Sequence, residues 1–123
     1  MKFPNSYFED EIKSGFYVDA RMKCCWAAQV EVLSEIDKVC KKYHIQYFAE
    51  WGTLLGTVRH GGYIPWDDDM DISMKRKDYE RFLKVAKKEL PSEYDVINYA
   101  TADEYYDAVS YTHLRAHETD SYL

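Results

Sequence analysis

Three features of the 123-residue sequence predict an α/β fold. Two stretches carry apolar residues at helical steps, and short β-prone runs lie between and after them. One of those runs passes through a Gly-Thr step directly into a third, shorter helical segment. The length suits one domain with a modest core. With 46% hydrophobic and 16% aromatic residues, the chain has enough apolar surface to offset its conformational entropy.

Residues 1–19 mix aromatics with Pro4, Asn5, Gly15 and several acids and show no sustained period, so they read as an N-terminal arm. From Ala20 to Tyr43 the residues Met22, Trp26, Val30, Leu33, Ile36 and Cys40 recur at steps of three and four, which predicts an amphipathic helix. Lys38, Lys41 and Lys42 in its last turn suit the negative end of the helix dipole. Residues 45–51 are aromatic and β-branched and predict a strand leading into Gly52. Thr53 is the expected N-cap of the next helix, and Gly61-Gly62 its C-cap. Free N–H groups and a positive dipole end are then expected at Gly52 and Thr53, where an anion could bind.

Residues 67–74 read as a second strand, with Asp67, Asp69, Asp71 and Ser73 on one face. Aspartate is a poor strand former, so function rather than local preference is the expected reason for this composition. A second amphipathic helix is expected from Asp78, with Tyr79, Phe82, Leu83, Ala86 and Leu90 inward and Pro91 as its stop. Its basic outer face reads as solvated. A third strand is expected over residues 94–99. From about Val109 the sequence continues no period and resembles translated adaptor sequence. The native chain is therefore expected to end near Ala108, with 109–123 a non-native tail. His113 and His117, four apart, are set aside as a metal pair for that reason.

The net charge of −6 argues against a partner that is a polymeric nucleic acid, which would require a basic surface to displace counterions. The sequence carries no transmembrane segment and no apolar signal core, and a cytoplasmic location is expected. The three cysteines, Cys24, Cys25 and Cys40, have no C-x-x-C spacing and suit reduced thiols. Cys40 and His44, four apart, read as structural rather than as an incomplete metal pair.

Four aspartates fall within five positions at Asp67, Asp68, Asp69 and Asp71, where like charges repel unless a cation lies among them. Asp69 and Asp71, extended by Asp67, have the spacing and hard oxygen donors for Mg²⁺, which completes its shell with water and substrate phosphates. Paired with a phosphate-holding turn at Gly52-Thr53, they supply the minimum apparatus for in-line displacement at phosphorus. A solvated acidic loop is the competing reading, and the strand, turn and alternation around the cluster weigh against it.

The stretch Trp51-Gly52-Thr53-Leu54-Leu55-Gly56-Thr57-Val58-Arg59-His60-Gly61-Gly62-Tyr63-Ile64-Pro65-Trp66-Asp67-Asp68-Asp69-Met70-Asp71-Ile72 resembles the signature of the LicD family. Arg76-Lys77-Asp78-Tyr79-Glu80-Arg81-Phe82 resembles the helix that follows it, and a looser similarity runs from about Arg21 to Tyr106. The family includes bacterial phosphocholine transferases and relatives of fukutin and fukutin-related protein. The resemblance implies a nucleotidyltransferase core of the DNA polymerase β-like α/β type, here incomplete, with residues 20–108 as its N-terminal part. It implies that Gly52 and Thr53 form the phosphate turn, that Asp69 and Asp71 bind Mg²⁺ or Mn²⁺, and that Asp67 binds metal or orients the attacking hydroxyl. Arg59 and His60 take an auxiliary phosphate or substrate role on this resemblance, or else cap the helix and turn. The implied donor is a CDP-linked alcohol such as CDP-choline, the acceptor a sugar hydroxyl of a cell-surface glycan, and the place the cytoplasm or the inner face of the membrane. The competing function is an inactive nucleotide-binding or interaction module of the same fold.

Overall fold

The computed structural model describes residues 2–96 in full and residues 97 and 113–116 as backbone. The architecture is mixed α/β, with three helices and three two-stranded antiparallel sheets among the described residues. A short 3-10 turn at Asn5–Phe8 precedes a hairpin of β1 (Glu11–Lys13) and β2 (Phe16–Val18). Ser14 and Gly15 join these strands at φ +49° and +76°, the pair of left-handed conformations that a tight hairpin turn requires. The arm is thus built, although its sequence shows no period. Three-residue strands are too short to display one, and β2 buries Val18 alone.

The long helix α1 (Ala20–Tyr43) matches its expected bounds. Asp19 caps it, its carboxylate accepting from the Met22 N–H at 2.9 Å, and His44 closes it at φ +55°. The C-terminal half of α1 buries Ile36, Val39 and Cys40 against Ile45 and against Phe82, Ala86 and Leu90 of α3 (Arg76–Glu89) and its end. Tyr43 and Lys42 reach across to Glu89 at 2.6 and 2.9 Å, and Asp78 accepts from the Gln46 N–H at 3.2 Å. Asp78 therefore lies inside the first turn of α3, which starts two residues earlier than the sequence suggests. Cys40 is core, burial holding its thiol up at about 11, whereas His44 is exposed. The two do not form a metal pair.

Between these helices, β3 (Phe48–Ala49) pairs antiparallel with β4 (Ile72–Ser73), Phe48 opposite Ser73 and Ala49 opposite Ile72. Both expected strands exist but are two residues long. Asp67, Asp69 and Asp71 precede β4 rather than belonging to it, so the alternating acidic strand is corrected to an irregular segment. Consecutive carboxylates disfavour a regular ladder, and this segment's backbone finds other partners. Helix α2 (Trp51–His60) leaves β3 and ends at Gly61, φ +68° as expected. Its Trp51, Leu54, Leu55 and Val58 are exposed. The inward face is glycine: a Cβ on Gly56 would collide with the Gly62 carbonyl, so the backbone of residues 62–64 lies directly on α2.

The third expected strand is β5 (Tyr94–Ile97), which pairs with β6 (His113–Ala116), Ile97 opposite His113. β6 falls within the stretch expected to be a tail. Residues 98 and 99, the boundary at Ala108 and His117 lie outside the described residues. No helix among the described residues is long and apolar enough to cross a membrane.

Because Phe82 is 5% exposed at the centre of the α1–α3 contact, Phe82→Ala is expected to cost about 3–5 kcal/mol. Urea denaturation checks this. A loss below about 1 kcal/mol would mean that the helix pair is not the main core.

Candidate metal and phosphate site

The site begins where β3 turns into α2. Trp51 makes that turn at φ +46°, a conformation that costs a non-glycine residue about 1–2 kcal/mol. Its indole is 75% exposed, so side-chain packing does not offset the cost. The turn starts the helix two residues before the expected cap. Glu50 is the N-cap, its carbonyl accepting from the Thr53 and Leu54 N–H groups at 3.0 and 3.2 Å. Thr53 is therefore not the cap, and its N–H is not free for an anion. The first-turn donors that the helix cannot satisfy are those of Trp51 and Gly52.

Instead of capping, Thr53 binds the acidic segment. Its Oγ1 accepts from the Asp71 N–H at 2.7 Å, while the Asp71 carbonyl accepts from the Glu50 N–H at 3.1 Å. Asp71 is thus held through both of its backbone polar groups by the turn that starts α2. Glu50 makes a third link, its carboxylate accepting from the Ser73 hydroxyl at 2.9 Å. Glu50 is not among the residues the sequence singles out. Its signal was its place between a strand and Trp51-Gly52, where a backbone N–H must find a partner.

Asp67 lies at the same helix end from the other side. A Cβ on Gly52 would meet its Oδ2 at 2.5 Å, so this carboxylate lies over the first turn of α2 in space that any other residue would make it leave. The carbonyl of Asp67 accepts from Trp26 Nε1 at 2.7 Å, and that of Asp68 accepts from Gln29 Nε2. Both donors come from the N-terminal half of α1. Tyr63 stacks on Trp26, centroids 4.9 Å apart and planes 4° off parallel, and donates to Gln29 Oε1 at 2.6 Å. Trp26 is placed in the core by its periodicity, as the structure finds, but its polar edge and Gln29 are not legible in the sequence.

Burial, then the charges of Asp69 and Asp68, push the Asp67 carboxyl above the ordinary value of 3.8. Burial, then Asp69 and Asp67, do the same to Asp71. None of these influences comes from a cation. Among the described residues no three His, Cys, Asp or Glu side chains converge as a metal-holding group. What the segment offers is a set of hard oxygen donors that repel one another, with no cation among the influences on either raised carboxyl.

Gly52, Thr53, Asp67 and Asp71 come together, and Asp69 is close enough to act on both carboxyls. Arg59 and His60 do not join them. They occupy the last turn of α2, about 12 Å along the helix from Gly52. There Arg59 Nε donates to His60 Nε2 at 3.1 Å, and His60 Nδ1 lies 3.5 Å from Ser14 Oγ of the hairpin turn. The charge of Arg59 suits the negative helix end.

A family model described as "LicD/FKTN/FKRP, nucleotidyltransferase domain" matches residues 44–122. The lipopolysaccharide cholinephosphotransferase LicD of Haemophilus influenzae is 40% identical over 67 residues, covering 54% of this chain and 25% of that protein. The ribitol 5-phosphate transferase FKRP of Homo sapiens is 38% identical over 55 residues, covering 45% of this chain and 11% of that protein. An uncharacterized protein of Rickettsia typhi is 40% identical over 55 residues, 45% of this chain and 18% of its own length. The chain therefore spans a quarter or less of the length of these relatives. No solved structure matches it.

The raised carboxyls have a consequence for the metal-free fold. An acid whose pKa is higher in the fold than in the unfolded chain adds stability below its ordinary value, near 3.8, and loses it as pH rises through the folded value. At pH 7 both groups are ionised at a cost to the fold. Asp67→Asn and Asp71→Asn are thus expected to raise the melting temperature in EDTA at pH 7, the gain shrinking toward pH 3. Melting curves at both pH values check the sign.

Proposed function

The chain belongs to the LicD family, and from that premise we propose that its acidic segment and the α2 turn serve a metal-dependent transfer of a phospho-alcohol group from a CDP-linked donor to a sugar hydroxyl. The observation that carries this reading is the Asp67 carboxylate lying over Gly52. A phosphate brought to the Trp51 and Gly52 N–H groups meets that anion and its neighbours Asp69 and Asp71. Such an approach is repulsive unless a cation lies between them. Carboxylates, helix end and phosphate therefore make a workable site together with a metal and a poor one without it.

In this reading Asp69 and Asp71 hold Mg²⁺ or Mn²⁺, which when bound neutralises charge on the diphosphate as it breaks. The N–H groups at Gly52 orient the phosphate. Asp67 accepts a hydrogen bond from the attacking hydroxyl, and its raised pKa favours it as a proton acceptor. The hydroxyl oxygen bonds to the phosphorus that carries the alcohol, the bond from that phosphorus to CMP breaks, and the hydroxyl proton passes to Asp67. The α/β elements around the site suit part of a nucleotidyltransferase core. Choline and ribitol are the alcohols named for two relatives, and a CDP ester of either class fits the proposed step. The acceptor is a surface glycan.

The test is CMP release from CDP-choline and CDP-ribitol with a lipopolysaccharide acceptor, with and without Mg²⁺. Metal-dependent release is expected, lowered at least about a hundredfold by Asp69→Asn or Asp71→Asn. Full turnover by Asp71→Asn with saturating metal would overturn the proposal.

A further inference from the structure

Trp26 and Gln29 lie one turn apart on α1, on the same face, and present two N–H donors to two consecutive carbonyls, those of Asp67 and Asp68. Peptide units are rigid planes. Holding these two carbonyls fixes the 67–68 and 68–69 units, and with them the direction in which Asp68 leaves the backbone and the place of the Asp69 Cα. The far end of the segment is held separately, at Asp71, by Thr53 and Glu50. Four anchors on a five-residue stretch are far more than an irregular solvated loop requires.

The amide of Gln29 has only one productive orientation. The Asp68 carbonyl can only accept, and the Tyr63 hydroxyl donates to Gln29 Oε1. That turns Nε2 toward the Asp68 carbonyl. The parallel stack of Tyr63 on Trp26 fixes both rings, so the two donors are set by one rigid assembly. Its α1 members precede residue 44 and so lie outside the family match.

We infer that Trp26, Gln29 and Tyr63 are positioning residues that orient the acidic segment for metal binding without supplying a ligand. This rests on the metal reading above. Backbone held in place in advance reduces the rearrangement needed for like charges to face one cation, and supporting groups of this kind commonly govern affinity by tenfold or more.

The experiment is an electron paramagnetic resonance titration of the full chain with Mn²⁺, alongside melting temperatures. Trp26→Phe keeps an aromatic ring of smaller size and removes the donor, and Gln29→Met removes the amide at similar size. Tyr47→Phe, which loses a 3.0 Å bond to Asp37 away from the acidic segment, is the control for fold stability. Both positioning variants are expected to bind Mn²⁺ at least about tenfold more weakly, with melting temperatures no lower than the control's and the control's affinity unchanged. If Trp26→Phe melts early, Gln29→Met decides. Wild-type affinity in both variants would overturn this inference alone. No Mn²⁺ binding by the wild-type chain would overturn the metal reading and this inference with it.

Discussion

Asp71 is bonded through its own peptide groups to both sides of the turn that starts α2, its N–H to Thr53 and its carbonyl to Glu50. The rest of the site depends on this constraint, because it makes the acidic segment and the helix terminus one unit. Without it, four aspartates in five positions would move apart to relieve their repulsion. With it, their backbone cannot follow. The electrostatic cost remains in the fold as raised carboxyls at Asp67 and Asp71.

Helix α1 joins this unit to the core. Its C-terminal half packs on α3 through Ile36, Val39 and Cys40, while its N-terminal half carries Trp26, Gln29 and the buried Lys23. Lys23 pairs with Glu11 at 2.7 Å, which ties the hairpin to the same half of the helix. A single rigid rod thus transmits the stability of an ordinary apolar core to an acidic segment with little of its own. The glycines of α2 serve the same end. Gly52 admits a carboxylate and Gly56 admits a backbone, so the helix seats itself through its smallest residues and leaves Leu54, Leu55 and Val58 outward.

The helices were legible in the sequence because long amphipathic periods leave little freedom, as the matching bounds of α1 show. The candidate residues were legible as a charge problem beside a glycine turn, and Gly52, Thr53, Asp67 and Asp71 lie together while Arg59 and His60 lie at the far end of α2. Less legible was how they meet. Thr53 reads as a cap because Ser and Thr so often cap helices, but Trp51 at positive φ starts the helix earlier and frees the hydroxyl for Asp71. The acidic strand was an inference from alternation, and two-residue strands are too short for alternation to decide. Trp26 and Gln29 act through polar atoms on positions 41 and 39 residues away in sequence, a relation that no local pattern contains.

In the proposed function, metal and phosphate meet where the acidic segment lies on the α2 turn. Anomalous diffraction from crystals soaked with Mn²⁺ and CDP-choline tests it most directly. A manganese peak bound by the carboxylates of Asp69 and Asp71 is expected, with the diphosphate against Gly52. A manganese peak bound only elsewhere, or a diphosphate ordered away from Gly52, would contradict it.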